Sequence, residues 1–102
     1  MEKIITTANF NDEVINSKKP VLLDFWAPWC MPCRMLSSTL SEFSSEHEDE
    51  IIVGKVNVDE EDELAGMFQI NSIPCLILFK NGKPIKHTVG LISKQELEEF
   101  LN

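Results

Sequence analysis

Two thiols three positions apart, Cys30 and Cys33 in Trp29-Cys30-Met31-Pro32-Cys33, are the residues of this chain best suited to chemistry. Such a pair can exchange electrons with another disulfide, supply half of a zinc site, or form an inert cross-link. The spacing i, i+3 on one helical turn brings the β-carbons to about 5–6 Å, close to disulfide distance. A strand pattern, Val21–Trp26, lies ahead of the pair and helical spacing follows it, so Cys30 is expected at a helix N-terminus. Backbone N–H groups there lack intrahelical partners and carry the positive end of the helix dipole, which stabilises a thiolate. A favourable, partly buried geometry contributes up to about 2 kcal/mol, equivalent to about 1.5 units off the thiol pKa. The thiolate fraction at pH 7 then rises from about 3% to about 50%, while lower basicity costs about fivefold in nucleophilicity, a net gain of about threefold. The larger benefit is geometric, because Cys33 stands within reach to resolve a mixed disulfide formed by Cys30. Pro32 suits the first turn, where the N–H it lacks would have no partner.

Other candidates are fewer. A structural zinc site takes four ligands, and no second C-x-x-C or paired histidine follows the first. His47 and His87 stand apart in the sequence and are expected on the surface. Cys75, the third cysteine, reads as a small buried hydrophobe, with a third thiol at the site as the sharper alternative. Asp24 is an anomaly in Val21-Leu22-Leu23-Asp24-Phe25-Trp26, a run apolar at both parities that marks a strand covered on both faces. Burial of an acid there disfavours its charge and raises its pKa.

The elements that must position these groups alternate along the chain. Lys3–Thr6 reads as a short strand and Phe10–Asn16 as a short helix opening among Asn9, Asn11 and Asp12. Val21–Trp26 is the central strand. From Met31 to His47, Leu36, Leu40 and Phe43 follow helical spacing. Ile51–Val58 is the next strand, and the acids Asp59-Glu60-Glu61-Asp62 open a helix whose inward stripe is Leu64, Met67 and Phe68. Cys75–Lys80, Asn81-Gly82 and Pro84–Val89 form a hairpin, since Asn-Gly supplies the positive φ angles of a type I′ turn. Ser93-Lys94-Gln95-Glu96 is a capping box opening a last helix that buries Leu97, Phe100 and Leu101. The order βαβαβαββα implies an α/β fold with a central mixed sheet of five strands and helices on both faces.

At 102 residues, with 43% hydrophobic and 25% charged, the chain is expected to be one domain spanning 1–102. Nine basic residues against 17 acids leave a net charge of −8, which argues against nucleic acid and anionic membranes as partners. Apolar runs such as Ile73–Phe79 fall far short of the roughly 20 residues that span a bilayer. The opening Met1-Glu2-Lys3-Ile4-Ile5-Thr6 has no basic region followed by an apolar segment, so no secretory signal is expected there. Three cysteines do not suit a stapled secreted scaffold, and a reducing, cytoplasmic setting is expected.

Taken together, Trp26-Ala27-Pro28-Trp29-Cys30-Met31-Pro32-Cys33-Arg34-Met35, Lys55-Val56-Asn57-Val58-Asp59, Ser72-Ile73-Pro74, Phe79-Lys80-Asn81-Gly82 and Val89-Gly90 resemble the landmarks of the thioredoxin family in order and spacing, over essentially the whole chain. The resemblance implies a thioredoxin fold and a thiol-disulfide oxidoreductase that reduces protein disulfides. Cys30 would attack, Cys33 would resolve, and a thioredoxin reductase would restore the dithiol, with no bound cofactor and no metal. By the same resemblance Asp24 lies beneath Cys33 as proton acceptor, directly or through a water, and Lys55 is its basic partner on the neighbouring strand. A lysine that snorkels to the surface is the plainer alternative for Lys55. Ile73-Pro74 would be a cis bond facing the dithiol, with the Ile73 backbone offered to an extended substrate segment. Trp29, Met31, Pro32, Ile73, Gly90 and Leu91 would form the apolar docking face. Disulfide-containing proteins are the expected substrates, and the chain is expected to be a monomer.

Three residues depart from the family pattern. Met31 replaces the usual glycine between the thiols, Ser38 stands where a helix-kinking proline is usual, and Cys75 replaces a threonine after Pro74. Rival readings are a disulfide oxidase or isomerase, a metal or iron-sulfur protein using Cys30, Cys33 and Cys75 with an outside ligand, and a non-catalytic binding subunit.

Overall fold

The computed structural model describes every residue from Met1 to Asn102. Its central strand is β2, Val21–Trp26, whose apolar residues at both parities bury both faces as the sequence pattern requires. On one side β2 pairs in parallel with β3, Ile52–Asn57, which in turn pairs in parallel with the short edge strand β1, Glu2–Ile4. On the other side it pairs antiparallel with β4, Cys75–Lys80, and β4 pairs antiparallel with β5, Lys83–Val89. The sheet order is β1-β3-β2-β4-β5, a mixed sheet of five strands.

One face carries Val21, Leu23, Phe25, Val56, Ile77 and Phe79 against Phe10, Val14 and Leu64. Helix α2, Asp62–Met67, and a single helical turn at Asn11–Ile15 cover it. The opposite face carries Leu22, Val53, Leu76 and Leu78 under helices α1, Met31–Glu46, and α3, Lys94–Leu101, through Leu36, Leu40, Phe43 and Leu97. Helices therefore lie on both faces, as the element order implies.

The hairpin and the capping box form as expected. Asn81 and Gly82 have φ of 53° and 75°, the positive pair a type I′ turn demands. A side chain at Gly82 would also meet the Ile15 carbonyl oxygen. Ser93 Oγ accepts from the Glu96 N–H at 3.1 Å, and Glu96 Oε1 accepts from the Ser93 N–H at 3.0 Å.

Differences from the sequence reading fall at element ends and in the short helices. The first helix is one π-type turn of five residues rather than Phe10–Asn16. Helix α2 starts at Asp62, so of Asp59-Glu60-Glu61-Asp62 only the last lies in its first turn, followed there by Glu63. With so short a helix the inward stripe shrinks to Leu64 and a half-buried Phe68, and Met67 is exposed. Helix α1 runs unbroken through Ser38.

Candidate active site

The dithiol sits where β2 hands over to α1. Cys30 is the N-cap of α1, with extended backbone, and its Sγ accepts the Cys33 N–H at 3.2 Å. A sulfur thus takes the place of the oxygen that usually caps a helix. Pro32 lies in the first turn, as expected. Cys30 and Cys33 are joined as a disulfide with Cα atoms 5.3 Å apart. Cys33 is 1% exposed and Cys30 6%, so both residues are buried, Cys30 the less completely. Both pack with Ala27, against Trp26, Val58 and Ile73.

Behind them lies the buried acid. Asp24 is 0% exposed, and neither of its carboxylate oxygens has an aligned hydrogen-bond donor. The parallel register sets Asp24 opposite Lys55 on β3, and the Lys55 ammonium stands 2.7 Å from Asp24 Oδ2. The two form a buried ion pair. Burial pushes the Asp24 carboxyl above its ordinary range, and the Lys55 charge opposes that rise without cancelling it. Lys55 also donates to Ser37 Oγ at 3.3 Å and lies 5.9 Å from the centre of the Trp26 ring. The lysine therefore points inward rather than snorkelling. Trp26, Cys33, Arg34, Ser37 and Lys55 line one pocket of about 270 Å³ beside the disulfide, and through Lys55 this pocket adjoins Asp24.

In front, Ile73-Pro74 is cis, and Cys30 Sγ lies 3.9 Å from the Ile73 carbonyl oxygen. The Ile73 N–H and carbonyl make no backbone hydrogen bond in the chain, which leaves both free for an added strand. Pro74 is buried and its carbonyl accepts the Gly90 N–H at 2.8 Å, so the Gly90 loop is tied to the same edge. Trp29 and Met31 are 70% and 61% exposed, and Pro32 and Leu91 are exposed beside them. Trp29 Nε1 donates to Asp59 Oδ2 at 2.9 Å, which anchors the exposed indole.

The thioredoxin family model matches residues 2–102. The chain belongs to the thioredoxin family. It is 51% identical over 97 residues to the thioredoxin of Alicyclobacillus acidocaldarius, covering 95% of this chain and 91% of that one. It is 47% identical over 104 residues to the thioredoxin of Buchnera aphidicola, covering 100% of this chain and 96% of the other. The thioredoxin of Mycobacterium bovis is 47% identical over 93 residues, 91% of this chain and 80% of that one. As a thioredoxin-family protein with its two cysteines at disulfide distance, it is a thiol-disulfide oxidoreductase of the protein-disulfide reductase type.

In this thioredoxin-family chain Cys33 shares a pocket with Lys55, the ion-pair partner of Asp24, while Ile73 lies against Cys30 and Pro74 ties in Gly90; Trp29, Met31 and Pro32 flank the cysteines in sequence. It does not bring Cys75 to the dithiol. Cys75 stands opposite Phe25 on β4, and successive residues of a strand face opposite sides, so its sulfur joins the core on the face away from α1. Burial, and secondarily the Asp24 charge, push its thiol pKa up, the reverse of what a reactive thiol needs. The metal reading that relied on Cys30, Cys33 and Cys75 together is not favoured by this separation. His47, partly exposed at the surface, has neighbours from across the chain. Its ring stacks on Phe43, its Nδ1 lies 3.1 Å from Glu50 Oε1, and donor atoms of Glu46 and Glu98 lie within 4.8 Å of one of its nitrogens. Lys94 occupies Glu46 at 2.6 Å.

Two contributors escaped the sequence reading, Asp59 and Ser37. Asp59 belongs to an acidic run that reads as a helix start, and Ser37 to the polar filler of α1. Only the tertiary contacts of Trp29 and Lys55 single them out.

Proposed function

We propose that Cys30 is the attacking thiol and Cys33 the resolving thiol of this reductase. In the reduced protein the Cys30 thiolate attacks one sulfur of a substrate disulfide. The Cys30–substrate bond forms, the substrate S–S bond breaks, and the departing sulfur takes a proton. Cys33 then gives its proton to the Asp24 carboxylate and attacks Cys30, which releases the second substrate sulfur as a thiol. Two electrons pass to the substrate, and Cys30–Cys33 is left oxidised. A thioredoxin reductase returns the pair to the dithiol, and no bound cofactor takes part.

The observation that carries this reading is the asymmetry of the pair. Cys30 caps α1 with its sulfur beside the Ile73 carbonyl, and Cys33, the more deeply buried residue, lines the pocket shared with Lys55. Trp29, Met31, Pro32, Ile73, Pro74 and Gly90 form the docking face for disulfide-containing proteins, which add an extended segment along Ile73. Lys55 keeps Asp24 ready to accept the proton. We further read residues 1–102 as one domain working as a monomer in the cytoplasm. The net charge of −8 supports protein partners over nucleic acid, and no helix is long and apolar enough to cross a membrane.

Cys30→Ser is expected to abolish reduction of insulin disulfides, a loss of at least about a thousandfold on the scale of removing a nucleophile. Cys33→Ser is expected to accumulate a covalent mixed disulfide that dithiothreitol releases. Turnover retained by the Cys30 variant, or trapping by the Cys30 rather than the Cys33 variant, would overturn the assignment.

A further inference from the structure

Lysine is a long, entropically costly side chain that ordinarily carries its ammonium to water. In this chain the Lys55 side chain is only 15% exposed and its ammonium is turned toward a buried acid. Its ammonium lies 2.7 Å from Asp24 Oδ2 and 5.9 Å from the centre of the Trp26 ring. On the facing helix it also donates a hydrogen bond to Ser37 Oγ at 3.3 Å. Ser37 lies one helical turn after Cys33 on α1, at i+4, and both line the pocket beside the disulfide. The sheet register decides which strand residue meets Asp24, but it leaves four rotatable bonds between the Lys55 backbone and its charge. A directed acceptor on the facing helix removes that freedom.

We propose that Ser37 is a positioning residue for the second half of the reaction: its hydroxyl holds the Lys55 ammonium against Asp24, in the pocket that Cys33 lines. Without the hydroxyl, Lys55 is free to extend through the partly open pocket to solvent. The charge that favours ionised Asp24 then withdraws, and the carboxylate becomes available as a base only at higher pH. Ser37 acts through Lys55 and touches no reacting atom. The inference rests on the reading of Asp24 as the proton acceptor for Cys33.

The test follows the carboxyl carbon of Asp24 by NMR across pH in oxidised protein, beside the pH–rate profile of insulin reduction. Ser37→Ala favours helix and leaves the fold intact. It is expected to raise the Asp24 midpoint by about half a unit to one unit, the shift that one net hydrogen bond corresponds to. The acid limb of the rate profile is expected to move upward by the same amount. Ser37→Thr, which keeps a hydroxyl, is expected to restore both, and Lys55→Gln sets the largest shift attainable. An unchanged midpoint in Ser37→Ala alongside a shifted one in Lys55→Gln overturns the role of Ser37. Asp24→Asn tests the underlying reading separately: if it leaves the acid limb in place, the proton acceptor is another group, and the NMR midpoints still decide whether Ser37 governs Lys55.

Discussion

Asp24 is a carboxylate held in the dark with one cation beside it, and its titration gives the chain a pH signature. Burial raises the folded pKa above the ordinary 3.8 that the unfolded chain keeps. On raising the pH, the unfolded chain therefore releases this proton first, and the folded state binds more protons between the two midpoints. Stability then falls as pH rises. The contribution is complete below about pH 4, the unfolded value, and is lost as the pH climbs through the raised folded midpoint. Asp24→Asn removes that dependence. Urea midpoints of native protein and Asp24→Asn, compared at pH 4 and pH 8, are expected to show the variant gaining on the native chain at the higher pH. A gap between the two that is the same at both values counts against a raised folded pKa.

Among the elements, β3 and α3 are placed by features a single atom can disturb. Gly54 sits in β3 where β1, β2 and β3 meet in register, opposite Leu23 and Lys3. A β-carbon there would lie 2.7 Å from Ile5 Cγ1 and 2.8 Å from Leu23 Cδ2, both in the closed core. Gly54→Ala is therefore expected to cost about 1–3 kcal/mol in overpacking, read by denaturant unfolding. Lys55 is the next residue, so the same variant is expected to disturb the Asp24 ion pair, which makes it a poor choice for testing catalysis. Ser93→Ala, outside the reacting groups, removes one arm of the capping box and is expected to cost about 1 kcal/mol without slowing insulin reduction. A helix α3 whose unfolding free energy ignores Ser93 would mean that packing of Leu97 alone holds it.

At the scale of the molecule, the sheet separates two chemical environments. The dithiol and the helix that bears it belong with the face under α1, while Cys75 lies in the core on the other face. Cys75→Ala is therefore expected to leave the rate of insulin reduction within about twofold, and to cost about 1 kcal/mol from the small space left by one sulfur. A large loss of activity, or loss of a bound metal on this change, would return Cys75 to the site. Trp29 and Met31, beside the disulfide in sequence, and Leu91, next to Gly90, are exposed apolar residues on a strongly acidic chain. Such a face is suited to apolar, extended segments of partner proteins.

Much of this was legible before any coordinates. A run apolar at both parities, the 3.6-residue period and Asn-Gly point in turn to β2, α1 and the β4–β5 hairpin, because these signals are encoded locally. The C-x-x-C, the Asp24 anomaly and the order of landmarks pointed to the chemistry. Short elements were read less well: the turn at Asn11–Ile15 and helix α2 carry too few residues for periodicity to fix their ends, and Met67 took the exposed side. What tertiary structure alone decided are the meetings across chain separation. Lys55 meets both Asp24 of β2 and Ser37 of α1, 18 residues away in sequence, Trp29 is steadied by Asp59, and Cys75 is drawn to the opposite core by the parity of β4. Sequence spacing determines which side of its own element a residue occupies, whereas the register and packing of separate elements determine what it finds there.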